Sequence, residues 1–209
     1  MFIGHFGLGL ASKKISKFPS LAIMFIAAQF LDLLWPILVL LKIETFSIEV
    51  GNTKLTPLNF EHYPYSHSLF MAVVWGLLFG ITYFLFTKHR KGSVLLGGLV
   101  VSHWVLDFIV HGPDLPLSPF SDLKVGLGLW NYPAFAIILE FGIFLLGTFL
   151  YYSVTKPKRK IAFWLLIAFF ITVHLMNLLG PPPPSVEAVA WSANLMWIFV
   201  IWAWWIEKK

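Results

Sequence analysis

The stretch "GSVLLGGLVVSHWVLDFIVH", residues 92–111, reads at once as a membrane span and as a chemical site. Its length matches the roughly 20 helical residues that cover a hydrocarbon core of ~30 Å. Five further runs pass the same test: Leu21–Leu41, Ser68–Thr87, Asn131–Thr155, Ile161–Leu179 and Val186–Ile206. They read as helices, because lipid cannot satisfy the open edge of a strand and the ten-residue alternation of a membrane barrel is missing. The expected fold is therefore all-α, a polytopic membrane bundle of about six transmembrane helices. Residues 1–209 form one integral-membrane domain on this reading, with no internal repeat.

Composition agrees. Of 209 residues 58% are hydrophobic and 12% charged, a balance that excludes an ordinary soluble domain. The net charge of +5 does not point to nucleic acid, because the basic residues stand in short clusters between the apolar runs. Lys13, Lys14 and Lys17, "KHRK" (88–91), "KPKRK" (156–160) and the final Lys pair hold 12 of the 15 Lys and Arg residues, all on one side of a six-span arrangement. The positive-inside rule makes that side cytoplasmic, with both termini on it, and Trp202, Trp204 and Trp205 form an inner interfacial belt. The expected location is a bacterial inner membrane. There is no cysteine, so thiolate metal sites and disulfides are excluded.

Residues 1–11 are apolar but too short to span, and they lack the basic start and cleavage site of a secretory signal. Ten helical residues cover about 15 Å, which suits a re-entrant or half-inserted helix, with Gly4, Gly7 and Gly9 allowing close approach to a neighbour. The segments 42–67 and 112–130 read as longer outer loops, rich in Pro, Gly and Asn, of the kind that shape the mouth of a site. "PPPP" (181–184) reads as a stiff extended connection.

At ~1.5 Å per residue, Asp32 and His103 each fall near mid-bilayer. Asp107 lies one turn further out, His111 at the outer interface, His67 at the mouth of the second span and His62 above it. His103 and Asp107 are i,i+4 and share a helix face, a spacing at which an imidazole and a carboxylate hold one divalent cation. A cation also accounts for Asp32 and Asp107, each of which costs ~2.5–3.5 kcal/mol at a helix centre. Ligation by His and carboxylate without sulfur favours zinc, with manganese or iron open. The bland alternative is a set of satisfied interhelical hydrogen bonders, and His174 with Asn177 is read that way, while His89 reads as solvated. Glu140 reads as either a structural partner or a further ligand.

"GHFGLGL" (4–10), "AQFLDLLWP" (28–36), "HYPYSHSLF" (62–70) and "SHWVLDFIVHGPDLP" (102–116) together resemble bacterial inner-membrane proteins classed as membrane-bound metal-dependent hydrolases, some of them LexA-regulated. The likeness covers roughly the first 115 residues. Where that family reads like His-Arg-Gly-x-Thr-His-Ser, this chain has "HYPYSHS", keeping both histidines and Ser68 without the arginine and glycine. The order His5, Asp32, His67, His103, Asp107, His111 is also similar to the ligand order of soluble zinc-dependent phospholipases C. That likeness implies one metal held by Asp32, His67, His103 and Asp107, with Asp107 bridging to a second ion near His5. A half-inserted first helix leaves His5 nearer the inner half than Asp32, so His5 is either deeper or structural. No counterpart of a later His-x-x-x-Glu pair exists, since Ala136 stands four residues before Glu140.

These readings lead to a metal-dependent hydrolase of a phosphoester or lipid-linked substrate, working from the extracytoplasmic side. Asp32 would orient or deprotonate water, His111 or His62 would protonate a leaving group, and Ser66, Ser68 or Ser102 would hold the imidazoles. The alternatives are a proton or metal-ion transporter using the same polar column and a non-catalytic membrane protein with a structural metal.

Overall fold

The computed structural model describes residues 1–208. It is an all-α membrane bundle: among the described residues five helices are long and apolar enough to cross a bilayer, six if a bent pair counts as one span. In chain order the elements are α1 (Ile3–Ala11), α2 (Leu21–Ala28), α3 (Phe30–Leu40), β1 (Thr45–Ile48), β2 (Leu58–His62) and α4 (Pro64–His67). Then come α5 (Leu69–Thr87), α6 (Arg90–Val110), β3 (Leu115–Ser118), β4 (Ser121–Val125), α7 (Pro133–Thr155), α8 (Lys160–Leu179), α9 (Val186–Asn194) and α10 (Trp197–Glu207).

Local chemistry sets several of the ends. Ser20, Ser68 and Ser185 are N-caps whose hydroxyls accept from the amides of Ile23, Met71 and Ala188, and prolines open α4 and α7 where a missing N–H costs nothing. The hairpin of α5 and α6 packs backbone to backbone: a Cβ on Gly76 would meet the Gly97 carbonyl at 2.8 Å. Small residues bring helices together in this way where lipid gives no hydrophobic drive.

Two sequence expectations need correction. The first span is not one helix but α2 and α3, bent by 57° at Gln29. The last span runs as expected over Val186–Glu207, with only a two-residue turn at Leu195–Met196 between α9 and α10. The segments expected as loops at 42–67 and 112–130 carry hairpins: β1 pairs antiparallel with β2, and β3 with β4. The first hairpin seats Phe46 and Phe60 against Trp35, with ring centroids 4.9 and 5.6 Å away, and so packs over α3.

The N-terminal helix is the centre of the bundle. Ile3, Phe6 and Leu10 of α1 are fully buried, and the Phe6 ring meets Phe25, Phe170 and Phe199 at 4.4–5.4 Å. Its Gly7 lies so near α7 that a Cβ there would stand 2.8 Å from the Ile143 carbonyl. That approach packs α1 among the spans, as expected of a re-entrant or half-inserted helix, and lets His5 reach Asp107 at 3.1 Å. At its far end Lys13 is buried and pairs with Glu207 at 2.8 Å.

Candidate metal centre

His5 of α1, Asp32 of α3, His67 of α4, and His103 and Asp107 of α6 converge from four separate helices. His67 Nε2 lies 3.3 Å from Asp32 Oδ1 and 3.8 Å from Asp107 Oδ2. His103 Nε2 lies 3.1 Å from Asp107 Oδ2 and 3.7 Å from Asp32 Oδ2. On the other side of Asp107, Oδ1 meets the Met1 amino nitrogen at 2.7 Å and His5 Nε2 at 3.1 Å. Burial is nearly complete, with one exception: the Asp32 side chain is 25% exposed where its neighbours are at most 5%.

The bend at Gln29 builds part of this geometry. A helix that stops at Ala28 leaves a last-turn carbonyl without an intrahelical partner, and His103 Nδ1 lies 2.8 Å from the Ala28 oxygen. A carbonyl only accepts, so His103 Nδ1 carries the proton, and the Nε2 of the neutral ring is a bare lone pair. Beyond the bend, Asp32 falls in the first turn of α3 and faces that nitrogen. From α4, Ser66 Oγ holds His67 Nδ1 at 2.7 Å and leaves its Nε2 aimed at the carboxylates.

These donor roles provide the fit test for a metal. Nε2 lone pairs of two neutral imidazoles pointing at two carboxylates repel unless a cation or protons lie among them. His103 Nε2 is buried without a hydrogen-bond partner. Imidazole nitrogens and carboxylate oxygens without sulfur suit zinc, manganese or iron. The buried His and Asp groups could therefore hold a metal ion. They form two overlapping sets, Asp32–His67–His103 and His5–His103–Asp107. Both use His103, whose Nδ1 is occupied, so its one free nitrogen serves one ion.

The other candidates fall outside both sets. His111 Nδ1 faces Asp114 Oδ1 at 3.2 Å and the Tyr63 hydroxyl at 3.4 Å, and its ring packs on Trp130 at 4.2 Å. Tyr63, absent from the sequence reading, is fully buried, and its ring stands 5.4 Å from that of His67. Burial, reinforced by the charges of Asp114, Asp107 and Glu44, pushes its hydroxyl well above the ordinary phenol range. His62 is exposed at the end of β2. Glu140 accepts from the Gly4 amide at 3.4 Å and lies 3.9 Å from His174.

His174 corrects another expectation. Neither ring nitrogen has a hydrogen-bond partner, and Phe2 stacks on it at 6.1 Å, so it is no satisfied hydrogen bonder with Asn177. Of the serines expected to hold imidazoles, Ser66 does so. Ser68 instead caps α5, and Ser102 donates to the Leu99 carbonyl.

A polytopic bundle with a buried His/Asp cluster at the bend of its first span defines an integral membrane protein with a candidate metal centre. The chain belongs to the YdjM inner membrane protein family, whose model matches residues 3–180. That span includes every residue of the cluster except Met1. Searches of curated proteins and of solved structures give no significant match.

Proposed function

We propose that the chain is a membrane-embedded, metal-dependent hydrolase acting on a phosphoester or lipid-linked substrate from the extracytoplasmic side. The observation that carries this reading is the asymmetry of the cluster: four donors converge, three of them sealed, while Asp32 alone keeps a quarter of its side chain exposed. An open position is what separates a catalytic metal site from a closed structural one, and the exposed side of Asp32 is where it would lie.

His67, His103, Asp107 and Asp32 would hold the ion, and His5 would hold the far oxygen of Asp107. When bound, a divalent ion, zinc first by donor type, supplies Lewis acidity toward a phosphoryl or acyl oxygen and lowers the pKa of water. Asp32, on the open side, orients a water molecule and takes its proton. His111, buried at the mouth with Asp114 against its Nδ1, is the stronger candidate to return a proton to a leaving group, with His62 the exposed alternative. The clustering of basic residues at the opposite ends of the helices supports a site toward the extracytoplasmic face and cytoplasmic termini. A transporter needs the polar path to continue inward. Phe6 falls between His5 and Lys13 along the chain, Phe25 between Leu21 at Glu207 and Ala28 at His103, and both rings pack with Phe170 in a buried apolar core, which favours the hydrolase.

The test pairs metal analysis with turnover of bis(p-nitrophenyl) phosphate and of phospholipid in proteoliposomes. Wild type should carry metal and release product, and Asp32→Asn, assayed at a zinc concentration that keeps its site filled, should lose turnover by at least 100-fold. Stoichiometric metal with no turnover of any phosphoester would leave a structural site in place of the enzyme.

A further inference from the structure

Glu44, in the turn between α3 and β1, is 1% exposed and lies in neither ligand set. Its Oε1 accepts from the backbone amides of Tyr65 and Ser66, both at 2.8 Å. Its Oε2 accepts from Ser66 Oγ at 2.6 Å. The same Ser66 oxygen lies 2.7 Å from His67 Nδ1.

A hydroxyl has one hydrogen to donate, and an ionised carboxylate can only accept. With the Ser66 hydrogen committed to Glu44, the hydrogen between Ser66 and His67 must come from the imidazole. We infer that Glu44 is a positioning residue which, through Ser66, fixes His67 as the Nδ1–H tautomer and so presents its Nε2 lone pair to Asp32 and Asp107. The inference deepens the metal-site reading by naming what prepares one ligand before any ion arrives. Partners of this kind set ring orientation and ligand basicity in metal sites. Glu44 does so at one remove, while its two backbone bonds hold α4 in place. His103 reaches the same tautomer by another route, the Ala28 carbonyl. Both imidazoles are thus set by acceptors lying on the side away from the carboxylates.

Glu44→Gln tests this sharply because it keeps the size of the side chain. The glutamine oxygen can retain the two backbone amides, which leaves its NH2 facing Ser66 Oγ. Ser66 then accepts from the amide and, because its other acceptor, the Tyr63 carbonyl, lies at 3.5 Å against 2.7 Å for His67 Nδ1, donates its hydrogen to His67, so the imidazole hydrogen moves to Nε2 and the lone pair is lost from the site. The measurement is the imidazole 15N spectrum of metal-free protein in detergent, assigned with His67→Gln, beside zinc affinity from chelator competition. Wild type should show protonated Nδ1 at His67. Glu44→Gln should show protonated Nε2 and bind zinc roughly 10–100-fold more weakly. Ser66→Ala, which removes the relay without reversing it, should weaken binding less than Glu44→Gln does.

Protonated Nε2 in wild type, or an unchanged tautomer in Glu44→Gln, would overturn the inference. Zinc affinity in Glu44→Gln within twofold of wild type would also overturn it, since a purely structural Glu44 survives as glutamine. The spectrum needs no metal, so the two readings can fail separately. A wild type that binds no zinc but shows the tautomer switch would remove the hydrolase and leave the role of Glu44 standing.

Discussion

The rings of His5 and His103 lie face to face, with centroids 3.6 Å apart and planes 4° from parallel. From that stack the two Nε2 atoms reach different oxygens of one carboxylate: His5 goes to Oδ1 of Asp107 and His103 to Oδ2. Asp107 is thus held from one side and offered to the cluster from the other.

This arrangement separates the two histidines by experiment. His103→Ala removes a ligand and should abolish zinc binding. His5→Ala removes only the hold on Asp107 and should weaken binding roughly 10-fold, the lower range for an outer partner. Equilibrium dialysis should find one zinc per wild-type chain. Two ions, falling to one in His5→Ala, would make His5 a ligand of a second site.

Gly7 sets how closely α1 approaches α7. In Gly7→Ala the added Cβ would meet the backbone of Ile143 and Phe144 at 2.8 Å, so a helix must move. Overpacking of this kind costs about 1–3 kcal/mol and should lower the thermal midpoint in detergent. It should also weaken zinc binding by displacing His5. Gly98→Ala in α6 is the control, because nothing lies within 4 Å of its Cβ position and alanine favours the helix.

At the other end of α1, Glu207 accepts from Lys13 Nζ, from the Leu21 amide at 2.7 Å and from the Tyr151 hydroxyl at 3.2 Å. Glu207→Ala leaves the Lys13 ammonium buried without its counter-charge. The Glu207 side chain is 17% exposed, so the loss should fall toward the low end of the ~3–5 kcal/mol typical of a broken buried pair. Thermal unfolding in detergent reads this directly, and zinc affinity below the melting transition should stay near wild type.

Much of the fold was legible in the sequence because lipid leaves few choices. Apolar runs of span length must be helices, and their limits were found to within a few residues. The bend at Gln29 was not legible, since neither proline nor glycine stands there. The hairpins were missed because strands of four or five residues carry too little alternation to register. Asp32, His67, His103 and Asp107 could be picked out because ionisable groups are costly at membrane depth. Glu44 and Tyr63 could not. Both lie in loop sequence where polar and aromatic residues are ordinary, and only folding brings them to the cluster.

The orientation of the bundle can be tested cleanly because the chain has no cysteine of its own. Asn52→Cys, exposed in the first hairpin, should react with a membrane-impermeant maleimide in intact cells. Lys158→Cys, between α7 and α8, should react only after the membrane is opened. The reverse pattern would place the site on the cytoplasmic side.

The most direct measurement is X-ray absorption at the edge of the metal bound by the purified protein. The account predicts one ion per chain with only nitrogen and oxygen ligands at about 2.0–2.2 Å, as for zinc. It also predicts imidazole multiple scattering from two rings, reduced to one in His67→Ala. Substoichiometric metal, or a spectrum unchanged by His67→Ala, would contradict it.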